Sequence, residues 1–135
     1  MSRLVNHPKN CTTPEQSKQL LELGVPVRTA DCFCRPDGGD VGIYQPLFPN
    51  NPESTIDKFI EYANNRSGRT YYIPCWSIGQ LIKIMGICYD FELPSCGSVQ
   101  VYRTDIEKGS VIEVLISDMA QNIHKMDFNK WRNGL

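Results

Sequence analysis

Apolar positions recur at helical spacing in four stretches, and the gaps between them are rich in helix breakers. Thr13-Pro14-Glu15-Gln16 opens the first stretch. A threonine N-cap, proline at the first helical position and glutamine at N3 together make a capping box. The predicted helix runs to about Leu23, turns Leu20, Leu21 and Leu23 toward a core, and stops at Gly24. A second starts at Ser54-Thr55-Ile56-Asp57 and carries Ile56, Phe59, Ile60 and Ala63 at i, i+3, i+4 and i+7, ending in Asn64-Asn65-Arg66-Ser67-Gly68. In the third, Ser77 and Gln80 make another capping box, Trp76 can staple onto Leu81, and Gly86 is the expected stop. The fourth runs from Val111 to about Met126, with Val111, Val114, Leu115, Met119 and Ile123 on one stripe.

Between these helices the pattern turns to strands and loops. Residues 27–34 predict a short strand after Pro26, and Arg69 to Ile73 is β-prone. Residues 35–53 hold Pro36, Pro46, Pro49 and Pro52 with Gly38, Gly39 and Gly42, which predicts a long loop or an irregular hairpin. Residues 87–94 and 99–104 alternate around the turn Ser95-Cys96-Gly97-Ser98, a predicted β-hairpin near 87–104. Residues 1–12 have no periodicity and are expected to be a loose N-terminal arm. Together the elements predict an α+β fold, about four helices packed on a small antiparallel sheet, in one domain over 13–135. The expected core is Leu20, Leu21, Leu23, Phe59, Ile60, Trp76, Ile78, Leu81, Ile82, Met85, Val111, Val114, Leu115 and Met119.

A chain of 135 residues with 41% apolar content, glycines not counted, holds enough core for one domain and argues against disorder. Fourteen basic against fifteen acidic residues leave a net charge of -1, so no overall field draws the chain to a polyanion or a membrane surface. The first residues lack the apolar stretch of a signal peptide, and no run is long enough for a membrane span. The expectation is a cytoplasmic protein with no membrane contact. In that compartment the six cysteines, Cys11, Cys32, Cys34, Cys75, Cys88 and Cys96, are expected as free thiols that pack as small hydrophobes.

Candidate chemistry is sparse. Zinc would need paired ligands, and Cys32-Phe33-Cys34 is the only close pair, with His7 and His124 alone near the ends; no metal and no cofactor is expected. Cys75 is the one nucleophile candidate, because it lies just before a predicted helix N-terminus, where a thiol pKa falls; His124 is the available base. Arg35 to Gly42 lacks the Lys-Ser/Thr of a phosphate loop and the spacing of a calcium loop, and is expected as a solvent turn. Asp90 and Glu92 fall on the solvent face of the predicted hairpin. Aromatic and basic residues interleave at Arg66, Arg69, Tyr71 and Tyr72, at Tyr102-Arg103 and at Trp131-Arg132, a mixture used by single-strand nucleic-acid platforms. Tyr44, Leu47 and Phe48 are apolar residues in a breaker-rich loop that cannot all be buried, and are the expected binding surface.

Two segments carry a family likeness. Thr13-Pro-Glu-Gln-Ser-Lys-Gln-Leu-Leu-Glu-Leu-Gly24, continued by Thr29-Ala-Asp31, and Pro74-Cys-Trp-Ser-Ile-Gly-Gln-Leu81 resemble a group of small uncharacterised proteins encoded in prophages and mobile elements of gut bacteria. The match covers about a quarter of the chain, with Ile78 where leucine is usual and a long segment of its own between residues 35 and 70. The resemblance implies a shared fold, with no activity attached and no catalytic residue to carry over. With no assembled catalytic set, the leading expectation is a non-enzymatic accessory protein acting through contact with a partner protein. The alternatives are a cysteine-dependent enzyme using Cys75 and a small single-strand nucleic-acid-binding module.

Overall fold

The helix signals act locally, and the first element sits where they put it. In the computed structural model, which describes residues 10–46, 48, 50–52, 54–88 and 111–131, helix α1 spans Pro14–Leu23. Thr13 Oγ1 accepts from the Gln16 N–H at 3.2 Å, and Gln16 Oε1 accepts from the Thr13 N–H at 2.9 Å. Both halves of the capping box are therefore closed. Gly24 ends the helix at φ 98°, a left-handed conformation that costs glycine little.

A 3-10 turn at Val27–Thr29 then leads into strand β1 (Cys32–Cys34), so the expected strand over 27–34 is confined to its last three residues. Strand β2 (Gly42–Ile43) lies within the Pro/Gly-rich segment and pairs antiparallel with β1, which makes 35–53 an irregular hairpin followed by loop. Helix α2 (Ile56–Ser67) is capped by Thr55 without a side-chain hydrogen bond, so the expected Ser54–Asp57 cap does not close. Strand β3 (Ile73–Cys75) pairs antiparallel with the other side of β1, giving the order β2-β1-β3. Helices α3 (Ile78–Cys88) and α4 (Val111–Asn122) follow, and α4 continues through 3-10 turns at Ile123–Lys125 and Phe128–Lys130. The fold is α+β: four helices and a three-stranded antiparallel sheet among the described residues.

Further expectations change. The β-prone stretch at 69–73 shifts to Ile73–Cys75, because Pro74 and Cys75 fall opposite Phe33 and Cys32 in the β1 ladder. Helix α3 passes through Gly86 and ends at Cys88, so residues 87–88 are helical and the rest of the expected hairpin, 89–104, lies outside the described residues. Asp90, Glu92, Cys96 and Tyr102-Arg103 lie outside with it. Of the expected loose arm, residues 1–9 are outside the described residues, but Cys11 and Thr12 are buried. Thr12 donates to the Trp76 carbonyl at 2.9 Å, its hydroxyl accepts the Trp76 N–H at 3.0 Å, and Ile78 donates to the Asn10 carbonyl at 2.9 Å. A single antiparallel bridge pairs Cys11 with Ser77 there, and these bonds satisfy backbone groups that burial removes from water.

The main core lies between the helices and one face of the sheet. Leu20, Ile60, Trp76, Leu81, Ile84, Met85, Leu115 and Met119 are buried within it. Leu21 and Ile82 are instead exposed at 39% and 41%, because α1 and α3 each present a narrower stripe than their leucines and isoleucines suggest. Trp131 is buried, not a platform. Arg28 donates to the carbonyls of Phe128 and Trp131, and the Asp127 N–H donates to the Cys88 carbonyl at 2.7 Å, fastening the C-terminal turns onto the Val27–Thr29 turn and α3.

A candidate binding groove

Alternation along β1 separates two environments. Phe33 points to the helical side and meets α2, while Cys32 and Cys34 point to the other face. Around Phe33 the aromatic residues of four segments converge. Its ring centroid is 4.9 Å from that of Phe59 and 4.7 Å from that of Tyr72. Tyr44 reaches Phe59 at 5.5 Å, and Tyr71 sits edge-on to Tyr72 at 4.7 Å. Arg35 lies over the Tyr71 ring at 4.2 Å. Asn64 holds the tyrosine pair to the end of α2: its Oδ1 accepts the N–H groups of Tyr71 and Tyr72 at 2.8 and 2.9 Å, and its Nδ2 donates to the Tyr72 carbonyl.

This cluster floors two adjoining depressions. One, of about 710 Å³, is bounded by Phe33, Tyr44, Phe48, Lys58, Phe59 and Tyr62. Its neighbour, of about 420 Å³, shares Phe59 and Tyr62 and adds Arg66, Tyr71 and Tyr72. Ile43 (73%), Phe48 (64%) and Tyr62 (63%) are the most exposed large apolar residues described, and all three line the larger depression. Among the described residues that line the two depressions, the ionised side chains are the cations Lys58 and Arg66, the latter donating to the Tyr62 hydroxyl at 3.0 Å. Burial raises the phenol pKa of Tyr44, helped by the Asp57 charge, and burial raises that of Tyr72. Both phenols stay neutral at physiological pH, with an O–H to donate.

Of the expected surface Tyr44, Leu47 and Phe48, the first and last line this groove, with Tyr44 half-buried beneath it and Phe48 exposed; Leu47 lies outside the described residues. Phe33, Phe59 and Tyr62 were not singled out by sequence as site residues. Phe59 read as core from its helical spacing, and nothing in the local pattern shows that a strand pairing opens its outer edge. Of the expected aromatic–basic set, Arg66, Tyr71 and Tyr72 come together here, Arg69 is exposed and lines neither depression, and Arg132 lies outside the described residues.

Cys75, the expected nucleophile candidate, is placed away from solvent. It lies in β3, three residues before α3 begins, and is fully buried. Its hydrogen bond with Cys34 and its burial push its pKa far up, so the thiol holds its proton. His124 sits in the turn after α4. The segment from Arg35 to Gly42 is a turn closed by the Gly38 N–H on the Arg35 carbonyl and the Gly39 N–H on Asp37 Oδ1, with Pro36, Asp37 and Asp40 exposed. Among the described residues no group of three or more His, Cys, Asp or Glu is arranged to hold a metal ion, and no helix is long and apolar enough to cross a membrane. Comparison with protein-family models, with curated proteins and with solved structures finds no match.

Proposed function

We propose that this chain is a non-enzymatic binding module that acts through protein–protein contact, laying an extended segment of a partner across the aromatic groove. The observation that supports it is the convergence of the most exposed large apolar side chains, Ile43, Phe48 and Tyr62, on one depression floored by packed rings. Aromatic anchors in a preformed apolar groove supply most of the energy of such contacts. The cations Lys58 and Arg66 suit a partner segment with aromatic or aliphatic anchors and an acidic flank. The reading includes a cytoplasmic location, with which the free described cysteines agree. Its resemblance to proteins of prophages and mobile elements makes an accessory role there the natural setting.

Single-stranded nucleic acid is the second reading, favoured by Arg35 over Tyr71 and by cations among stacked rings. One experiment separates the two. A displayed library of random peptides and a set of labelled single-stranded oligonucleotides are tested against the wild-type chain and against Phe48→Ala/Tyr62→Ala. The protein reading expects enriched peptides with apolar anchors, a loss of roughly tenfold or more in affinity in the variant, and unchanged melting. Oligonucleotide binding that falls steeply with salt, with no peptide enriched, overturns it in favour of nucleic acid.

A further inference from the structure

The face of the sheet opposite the groove carries a different chemistry. Cys32 and Cys34 project there from β1, and Cys75 projects from β3 in register with Cys32. Cys11 is brought over them by the chain entering α1, which bridges to Ser77. Residues spread over more than sixty positions of sequence thus meet in one buried cluster with Val41 and Ile73. Buried thiols are ordinarily inert. These stand as two contact pairs: the Sγ atoms of Cys11 and Cys32 are 3.8 Å apart, and Cys34 is hydrogen-bonded with Cys75.

The pairs are also asymmetric. The hydrogen bond between the Cys11 and Cys32 sulfurs lowers the pKa of Cys11 against the opposing effects of burial and of the Asp31 charge, whereas Cys32 is pushed far up by the same bond and by burial. Cys11 is moreover the most exposed of the four, at 7% against 2% for Cys32 and 0% for Cys34 and Cys75. The thiol nearest solvent thus has its partner sulfur in contact behind it.

We infer that Cys11 and Cys32 form a dithiol oxidisable by hydrogen peroxide, with Cys11 as the attacking sulfur and Cys32 as the resolving one. The Cys11 thiolate attacks one peroxide oxygen; the O–O bond breaks, hydroxide leaves, and Cys11 becomes a sulfenic acid. The Cys32 sulfur then attacks the sulfenic sulfur, losing its proton as the S–O bond breaks and water departs. Two thiols give up two electrons and two protons, and one peroxide becomes two waters. A disulfide needs the sulfurs at about 2.05 Å. The product ties the entry of α1 to β1 across a separation of 21 residues. This inference is independent of the groove.

The test treats the reduced, full-length folded chain with hydrogen peroxide, blocks free thiols with iodoacetamide, and maps linkages by mass spectrometry after non-reducing digestion. A Cys11–Cys32 linked peptide is expected, together with a melting temperature raised by several degrees. In Cys32→Ser, a dimedone adduct at Cys11 is expected; in Cys11→Ser, loss of the Cys32 thiol is expected to slow at least tenfold. The inference is overturned if both thiols remain alkylated by iodoacetamide in the wild-type chain, if Cys11 links elsewhere, or if the link appears only in denaturant. The wild-type map decides the matter even if a variant fails to fold.

Discussion

Gly42 is where the groove is most sensitive to one added carbon. It pairs with Phe33 across the β1–β2 ladder, and the Phe33 ring lies over it. A Cβ built on Gly42 would sit 2.6 Å from Phe33 Cζ and 2.9 Å from Cε2, well inside contact distance. The ring would have to move by about 1 Å to reach ordinary packing. It is hemmed by Phe59 at 4.9 Å and Tyr72 at 4.7 Å, so its displacement disturbs the cluster. Overpacking of this kind costs about 1–3 kcal/mol. Gly42 is not among the residues with positive φ, so alanine brings no backbone strain and recovers about 0.4–1 kcal/mol through the unfolded chain. The expected net effect of Gly42→Ala is a loss of about 1–2 kcal/mol in urea unfolding. Phe33→Leu is expected to relieve the clash, so Gly42→Ala should cost less in that background, with a coupling of about 1 kcal/mol in the double-mutant cycle. Unchanged or increased stability of Gly42→Ala, or strict additivity with Phe33→Leu, would falsify the account of this contact.

Three further outcomes are expected. Asp31→Ala should lose about 2 kcal/mol in denaturant unfolding and weaken hydrogen-exchange protection at the start of α3, because the carboxylate accepts both the N–H and the hydroxyl of Ser77. Leu20→Ala should cost about 2–5 kcal/mol and Leu21→Ala under about 1 kcal/mol, since Leu20 is 0% and Leu21 39% exposed; equal losses would contradict the orientation of α1. Burial raises the Cys88 thiol pKa, so the folded state keeps a proton that the unfolded chain gives up above about pH 8.5. This contribution is complete below that pH and is lost as pH rises further, with a limiting slope of about 1.4 kcal/mol per pH unit. Stability measured from pH 7 to 10 should therefore decline less steeply in Cys88→Ala than in the wild-type chain.

What was legible in the sequence depended on how far away the deciding atoms lie. Thr13, Gln16 and Gly24 set the ends of α1 through groups a few residues apart, and the structure closes those same bonds. The helical stripe of Val111, Leu115 and Met119 is equally local, and all three are buried. At α3 the same reasoning met a competitor. Ser77 accepts the Gln80 N–H at 3.1 Å as a cap should, but the Ser77 N–H goes to Asp31 and the Gln80 side chain donates to the Thr29 carbonyl. A carboxylate 46 residues away therefore replaces half of the expected capping box.

The sequence alone determined the helices, the breaker-rich hairpin segment and the α+β class, because periodicity and caps are interactions within a turn or two of chain. Only the tertiary structure decided that β1 lies between β2 and β3, since strand register is chosen by burial over the whole domain. That one choice puts Phe33 beside Phe59 and Tyr72 on one face, and gathers Cys11, Cys32, Cys34 and Cys75 on the other. Alternation along a strand says that neighbours face opposite ways. What they face is set by segments that arrive from elsewhere in the chain.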